Sequence, residues 1–250
     1  MGKSASFKKR VDSSAFTLIE ILVAVMIFGI IMLTIFSSFR SFMLSSQMIK
    51  SNIAASETIA SFNNIMVRDF LYLRISLPPE YSKPISASSD DSDRDKFRFS
   101  GDETTEDGNI FSRVRFASLA HISFGGDIKK DNKASKRVGA ARVIYYVRPV
   151  NALTPDGEDG FELCRSDTLN SFDDTDGSDC DPVICRNITK FKVTYMDIKG
   201  DKHPEWDSES DRYNYSTPVS VAIEIEFRIM DSLHTFSTTI AMPLFREYER

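Results

Sequence analysis

The sequence is poor in the residues that most chemistry needs. It has three cysteines, three histidines and one tryptophan in 250 residues. No CxxC pair occurs, and His121, His203 and His234 are scattered, so the spacing of a thiolate or imidazole metal site is missing. No nucleophile–base constellation, phosphate-binding loop or pair of catalytic acids can be argued from the order of residues. No Lys/Arg cluster follows the first fifteen residues; Lys129 and Lys130 sit beside Asp127 and Asp131 and read as a solvated loop. The formal charge is -5, with Lys3, Lys8, Lys9 and Arg10 against Asp12 making the start +3 and the remainder -8. An acidic remainder is a poor surface for nucleic acid, which needs clustered cations. These shortages predict no enzyme, no cofactor and no nucleic-acid partner.

Charge is also absent from one long run. Residues 16–36 read FTLIEILVAVMIFGIIMLTIF, 21 residues with Glu20 as the sole charge. A helix rises about 1.5 Å per residue, so the run spans roughly 30 Å, one bilayer core. The basic stretch precedes it, which keeps the amino end in the cytoplasm and places the rest of the chain beyond the inner membrane. A cleaved secretory signal has a shorter apolar core ending in small residues; this run continues unbroken. A plain anchor has no use for a carboxylate near its start. An acid at the centre of a bilayer helix costs ~2.5–3.5 kcal/mol, less near an end. Glu20 therefore calls for a reason.

The segment Ala15-Phe16-Thr17-Leu18-Ile19-Glu20 closely resembles the prepilin cleavage site of type IV pilins and type II secretion pseudopilins. The resemblance implies cleavage between Ala15 and Phe16 by a prepilin peptidase and N-methylation of Phe16. It also implies that Glu20, the fifth mature residue, neutralises a neighbouring subunit's amino terminus during assembly. A buried carboxylate and a buried ammonium are each costly alone and tolerable as a pair. The family has Gly before the cut where this chain has Ala15, the smallest change available.

Beyond the run, Phe39, Phe42, Ile49, Ile53, Ile59, Phe62, Met66, Phe70 and Leu73 recur mostly at helical steps, and Pro78 and Pro79 end the pattern. The organisation expected is a leader at 1–15, a transmembrane helix at 16–36, its amphipathic continuation at 37–76, and a β-rich periplasmic domain at 77–250. Stretches 86–95 and 101–109 are polar and acidic and read as loops, with FRFS between them as a short strand. Strands are expected within 113–124, at Ala141–Arg148, at Ile188–Ile198 and, most clearly, at Thr217–Ile229, where Val219, Val221, Ile223, Ile225 and Phe227 alternate with polar residues. His234–Met242 is the return strand. The fold class is α+β: one long helix packed on antiparallel sheet.

This order is similar to the J-type minor pseudopilin of type II secretion. The carrying residues are the Ala141–Arg148 strand, then Phe191, Val193, Tyr195, Asp197, Trp206 and Pro218. Glu20 argues against the K type, which lacks that acid. The resemblance implies a single-pass inner-membrane subunit with its C-terminal domain in the periplasm. Its implied partners are the I- and K-type tip subunits, the major pseudopilin and the prepilin peptidase. A minor pilin of a type IV pilus, serving adhesion, motility or DNA uptake, is the alternative. A membrane-tethered enzyme is a third class, and it requires a catalytic constellation that the sequence does not supply.

Cys164, Cys180 and Cys185 allow three single pairings and leave one thiol. FELCR and VICRNI read as two strands joined by an acidic loop, which a bridge involving Cys185 would staple; a structural staple or a buried thiol is the reading taken. That loop contains Asp174, Asp176 and Asp179 around Gly177. Calcium would choose these oxygens, but Phe172 stands where an EF-hand needs its first acid, so a solvated loop is the reading taken.

Overall fold

The computed structural model describes residues 17–81, 83, 95–106, 108–120, 139–150, 160–169, 177–178, 180–230 and 232–247. Two compact units divide the chain, Met1–Lys50 and Ser51–Arg250. One helix, α1 (Leu18–Leu71), belongs to both. In the first unit its apolar side chains are exposed on every side, Leu18, Val25, Leu33, Phe36 and Phe42 among them. A helix apolar all round suits lipid. By length and composition α1 can cross a membrane.

In the second unit α1 buries Ser51, Ala55, Phe62, Met66, Asp69 and Phe70, steps of three, four and seven that form one face. The expected stripe is thus corrected at its start. Ile49 and Ile53 are exposed, and the smaller Ser51 and Ala55 face inward. The helix ends at Leu71, earlier than Ser76, because the chain turns into β1 (Leu73–Arg74). That strand pairs with Ser118 and Ala117, and the ladder satisfies backbone groups that a longer helix would leave at its end.

The sheet comprises β2 (Ser100–Glu106), β3 (Asn109–Ser118), β4 (Ala141–Pro149), β5 (Phe161–Leu169), β6 (Val183–Cys185), β7 (Ile188–Met196), β8 (Lys202–His203), β9 (Trp206–Asp207), β10 (Ser220–Ile229) and β11 (Ser232–Ala241), with β1. The main order is β11-β10-β7-β3-β4-β5-β6. All pairings are antiparallel except β3 with β7, which meet in parallel at Phe111 and Phe191. There Val193 donates its N–H to Ser112 Oγ at 2.9 Å, a side chain completing a thin ladder. The architecture is the α+β one expected, a long helix and a large, mostly antiparallel sheet.

β2 corrects the reading of 101–109 as a loop. Its acidic residues pair from Ser100↔Arg115 to Glu106↔Asn109, an arrangement that leaves polar side chains outward and needs no apolar alternation. β10 matches its pattern: Val221, Ile223, Ile225 and Phe227 are buried. They join Phe62, Met66, Phe70, Phe191, Val193 and Tyr195 in one core. Phe70 stacks on Phe116 at 4.6 Å, and Phe62 meets Phe236 edge-on at 6.3 Å.

Two arginines lock this core. Arg165 on β5 donates to Asp69 of α1 at 2.6 and 3.1 Å and to Asp167 at 2.7 Å, and the Tyr145 hydroxyl donates to Asp69 at 2.6 Å. Burial works against the Arg165 charge, but the Asp69 hydrogen bonds and charge outweigh it and raise its pKa. Arg246 donates to Ser208 O at 2.6 Å, Glu209 at 2.7 Å and Asp95 at 2.9 Å, and lies 3.6 Å over the Tyr81 ring. It ties the segment after β11 to Ser76, Asp95 and the stretch from Ser208 to Tyr215.

Candidate functional site

α1 starts where the apolar run starts. Thr17 is not helical, yet its carbonyl accepts from the N–H groups of Glu20 (3.1 Å) and Ile21 (3.4 Å), which makes it the N-cap. Glu20, three residues on, reaches back. Its Oε2 accepts from the Thr17 N–H and from the Thr17 hydroxyl, both at 3.0 Å. This is one half of a capping box, the T-x-x-E spacing in which the acid covers an orphan amide at the helix start. The helix dipole also favours an anion there. Both bonds fall on one carboxylate oxygen, so Oε1 is left for a further donor. Glu20 thus has a local partner as well as the intersubunit one expected of it. Thr17 was not assigned a role from the sequence, although the T-x-x-E spacing was there to read. Ala15 and Phe16, the expected cleavage residues, lie outside the described residues.

Cys164 and Cys185 take the buried-thiol form of the expectation. Cys164, Cys180 and Cys185 are free thiols. The two strands FELCR and VICRNI do pair, as β5 with β6, but the register sets Leu163 opposite Cys185 and Cys164 opposite Val183. Cys164 consequently packs with Ile144, Tyr146 and Val183 on one face, while Cys185 joins the main core on the other. Thiols on opposite faces of a sheet cannot meet the disulfide geometry. Burial pushes Cys164 up to about 11 and Cys185 up to about 12, so both stay protonated and inert. Cys180 is exposed.

The calcium candidates Asp174, Asp176 and Asp179 lie outside the described residues. Next to them, Tyr146 donates its hydroxyl to Ser178 O and to Asp181, both at 3.0 Å. Among the described residues no three His, Cys, Asp or Glu side chains are grouped to hold a metal.

The residues that carried the subtype resemblance gather into one structural unit. Phe191, Val193 and Tyr195 are fully buried on β7. Asp197 ends that strand; its Oδ1 accepts from the N–H groups of Lys199 and Asp201 at 2.9 Å, closing a turn through Gly200 at φ +88°. Its Oδ2 lies 3.2 Å from His203 Nε2. Trp206 stacks on Tyr213 at 4.4 Å and donates to Ser216 O at 3.0 Å. Each of these contacts holds the fold.

The prokaryotic N-terminal methylation motif matches residues 10–36 of this chain. No curated protein matches it. The matched stretch includes Ala15, Phe16, Thr17 and Glu20 and the whole apolar run. With the α+β architecture, it supports a type IV pilin-like protein, pseudopilin or pilin, anchored by a single N-terminal helix.

Proposed function

We propose that this chain is a minor pseudopilin of J type in a type II secretion system. In this reading the leader 1–15 is removed between Ala15 and Phe16, Phe16 is N-methylated, and residues 16–36 cross the inner membrane once. The domain that follows lies in the periplasm. The subunit joins the I- and K-type subunits at the pseudopilus tip, primes addition of the major pseudopilin and so helps folded proteins cross the outer membrane. The observation that carries the reading is the methylation motif at 10–36 running directly into the apolar start of α1. Support for the subtype comes from the order in which β4, β7, the Asp197 turn, Trp206 and β10 follow one another. The helix supplies the assembly surface and the sheet a rigid platform beneath it.

Deletion of the gene and complementation test this. Loss of secretion with pili and motility intact, together with copurification of the detergent-extracted full chain with I- and K-type subunits, is expected. Loss of pili with normal secretion would instead make it a type IV minor pilin.

A further inference from the structure

Arg246 uses every donor it has. Its Nε donates to Tyr215 O at 2.9 Å. Nη1 donates to Asp95 at 2.9 Å and to Ser76 O at 3.4 Å, and Nη2 to Ser208 O at 2.6 Å and Glu209 at 2.7 Å. A guanidinium carries its N–H groups in a rigid planar fork, and an acceptor meets each of them here. The Tyr81 ring covers one flat face at 3.6 Å. Lysine has fewer donors and no plane, so it cannot match this slot.

The walls of the slot also hold one another. Asp95 Oδ1 accepts from the Ser76 hydroxyl at 2.7 Å and from the Phe97 N–H at 3.0 Å, and Glu209 Oε2 accepts from the Tyr81 hydroxyl at 3.3 Å. Each carboxylate therefore keeps its second oxygen turned to the cation. Their side chains are 9% and 4% exposed, so without a guanidinium two buried anions would face each other uncompensated. Burial pushes the Glu209 carboxyl up even with Arg246 beside it. The other ion pair nearby, Lys83 with Asp211 at 3.7 Å, lies on the exposed rim.

All of this lies off the strands. Ser76 and Tyr81 follow β1, Asp95 precedes β2, Ser208 and Glu209 follow β9, Tyr215 precedes β10, and Arg246 lies past the end of β11. The segment 242–247 is attached near its two ends. Met242 donates its N–H to Val219 O at 2.9 Å. Arg246 donates its N–H to Thr217 Oγ1 at 2.9 Å and accepts from the Thr217 N–H at 3.0 Å. Pro243 between them has no N–H to add.

We propose that the slot is a preformed guanidinium receptor and that residues 242–247 are a strap keyed into it by Arg246, able to open while the sheet stays folded. With the strap open, the slot takes a guanidinium group from another source in place of Arg246. The slot's chemistry does not depend on the secretion reading.

The test compares the full chain in detergent micelles with Arg246→Ala. Unfolding is followed from Trp206, the single tryptophan, whose ring N–H donates to Ser216 O next to the strap's anchor at Thr217. Low-millimolar ethylguanidinium should raise the melting temperature of Arg246→Ala saturably, ethylammonium should do so severalfold less, and neither should move the wild type. Amide hydrogen exchange at positions 217 and 246 should quicken by about tenfold or more in Arg246→Ala, while Val221 and Ile223 within β10 keep their wild-type rates. If Arg246→Ala is unfolded by itself, recovery with ethylguanidinium and not with ethylammonium bears out the receptor. Arg246→Lys, which keeps a cation and loses the fork, then supplies the exchange measurement, with a smaller quickening at the same two positions. Equal stabilisation by the two ions, or none by either, overturns the receptor. Quickening at Val221 and Ile223 to the same extent as at Thr217 overturns the independent strap.

Discussion

Arg165 has no exposed side-chain surface and sits between the carboxylates of Asp69 and Asp167. A buried ion pair contributes little net stability over an apolar replacement, but breaking one is costly because a charge is left behind. Arg165→Met should therefore lose about 3–5 kcal/mol in urea unfolding, since it strands two carboxylates. Asp69→Asn should lose less, as Arg165 keeps Asp167 and the amide still accepts from Tyr145. Equal losses would mean that Asp69, and not Asp167, dominates the cluster. At the turn after β7 a different carboxylate sets a pH dependence. Burial opposes the Asp197 charge, but hydrogen bonds from His203, Asp201 and Lys199 outweigh it and hold the carboxyl below its ordinary 3.8. A lowered folded value gives stability that is fully present above the unfolded value and lost as pH falls through the folded one. Asp197→Asn removes that titration, so its melting temperature should fall less steeply than wild type below about pH 4. Parallel profiles through that range would show that Asp197 does not contribute to the acid limb.

β2 crosses the molecule at a point where there is no room for a side chain. A Cβ on Gly101 would run into the Tyr195 ring and hydroxyl. That hydroxyl is fully buried and has no hydrogen-bond partner among the described residues. Gly101→Ala should cost about 1–3 kcal/mol by pushing β2 off β9 and β3. Tyr195→Phe deletes a buried polar atom that pairs with nothing, so it should be neutral or stabilising, and it should recover part of the Gly101→Ala loss in a double mutant. Thermal unfolding of the four proteins closes the cycle; destabilisation by Tyr195→Phe would mean that the hydroxyl has a bound water. The same elements explain what could be read ahead. β10 and β7 were legible because one face meets the core and the other meets water, and the alternation is written in their residues. β2 was not, because its acidic residues need only a ladder and a solvent face. Ser51 and Ala55 were missed as core because close packing of a helix on a sheet selects small residues, which carry no apolar signal. The Asp69–Arg165 pair joins residues far apart in sequence, and a lone charge inside a helix or strand reads as surface until the tertiary structure is known. Staple and buried thiol could not be told apart for the opposite reason: proximity in sequence was visible, but the face each thiol occupies depends on the β5–β6 register.

At the scale of the whole molecule, the proposed function asks the start of α1 to serve two states, a single subunit in the membrane and an assembled one. In the single chain, Glu20 is held by Thr17 through one oxygen, and this reduces the cost of placing a carboxylate at the edge of the bilayer. In an assembly, the free oxygen can accept from a neighbour's methylated amino terminus without the cap being given up. Two substitutions separate these roles. Glu20→Val removes both cap and charge; Glu20→Gln keeps an oxygen for the Thr17 donors and removes only the charge. In the proposed processing, cleavage and insertion depend on the leader, Ala15, Phe16 and the apolar run, so mass spectrometry of either variant should still find a chain beginning at N-methylated Phe16. An intact leader in a host with active peptidase would refute the processing assignment itself. Recovery of assembled subunit from membranes should fall about tenfold or more in both variants if the charge pair holds the fibre, because about 1.4 kcal/mol already shifts an equilibrium by that factor. If Glu20→Gln assembles as wild type while Glu20→Val does not, the carboxylate acts by capping its own helix, and the ammonium of the neighbour must find its partner elsewhere.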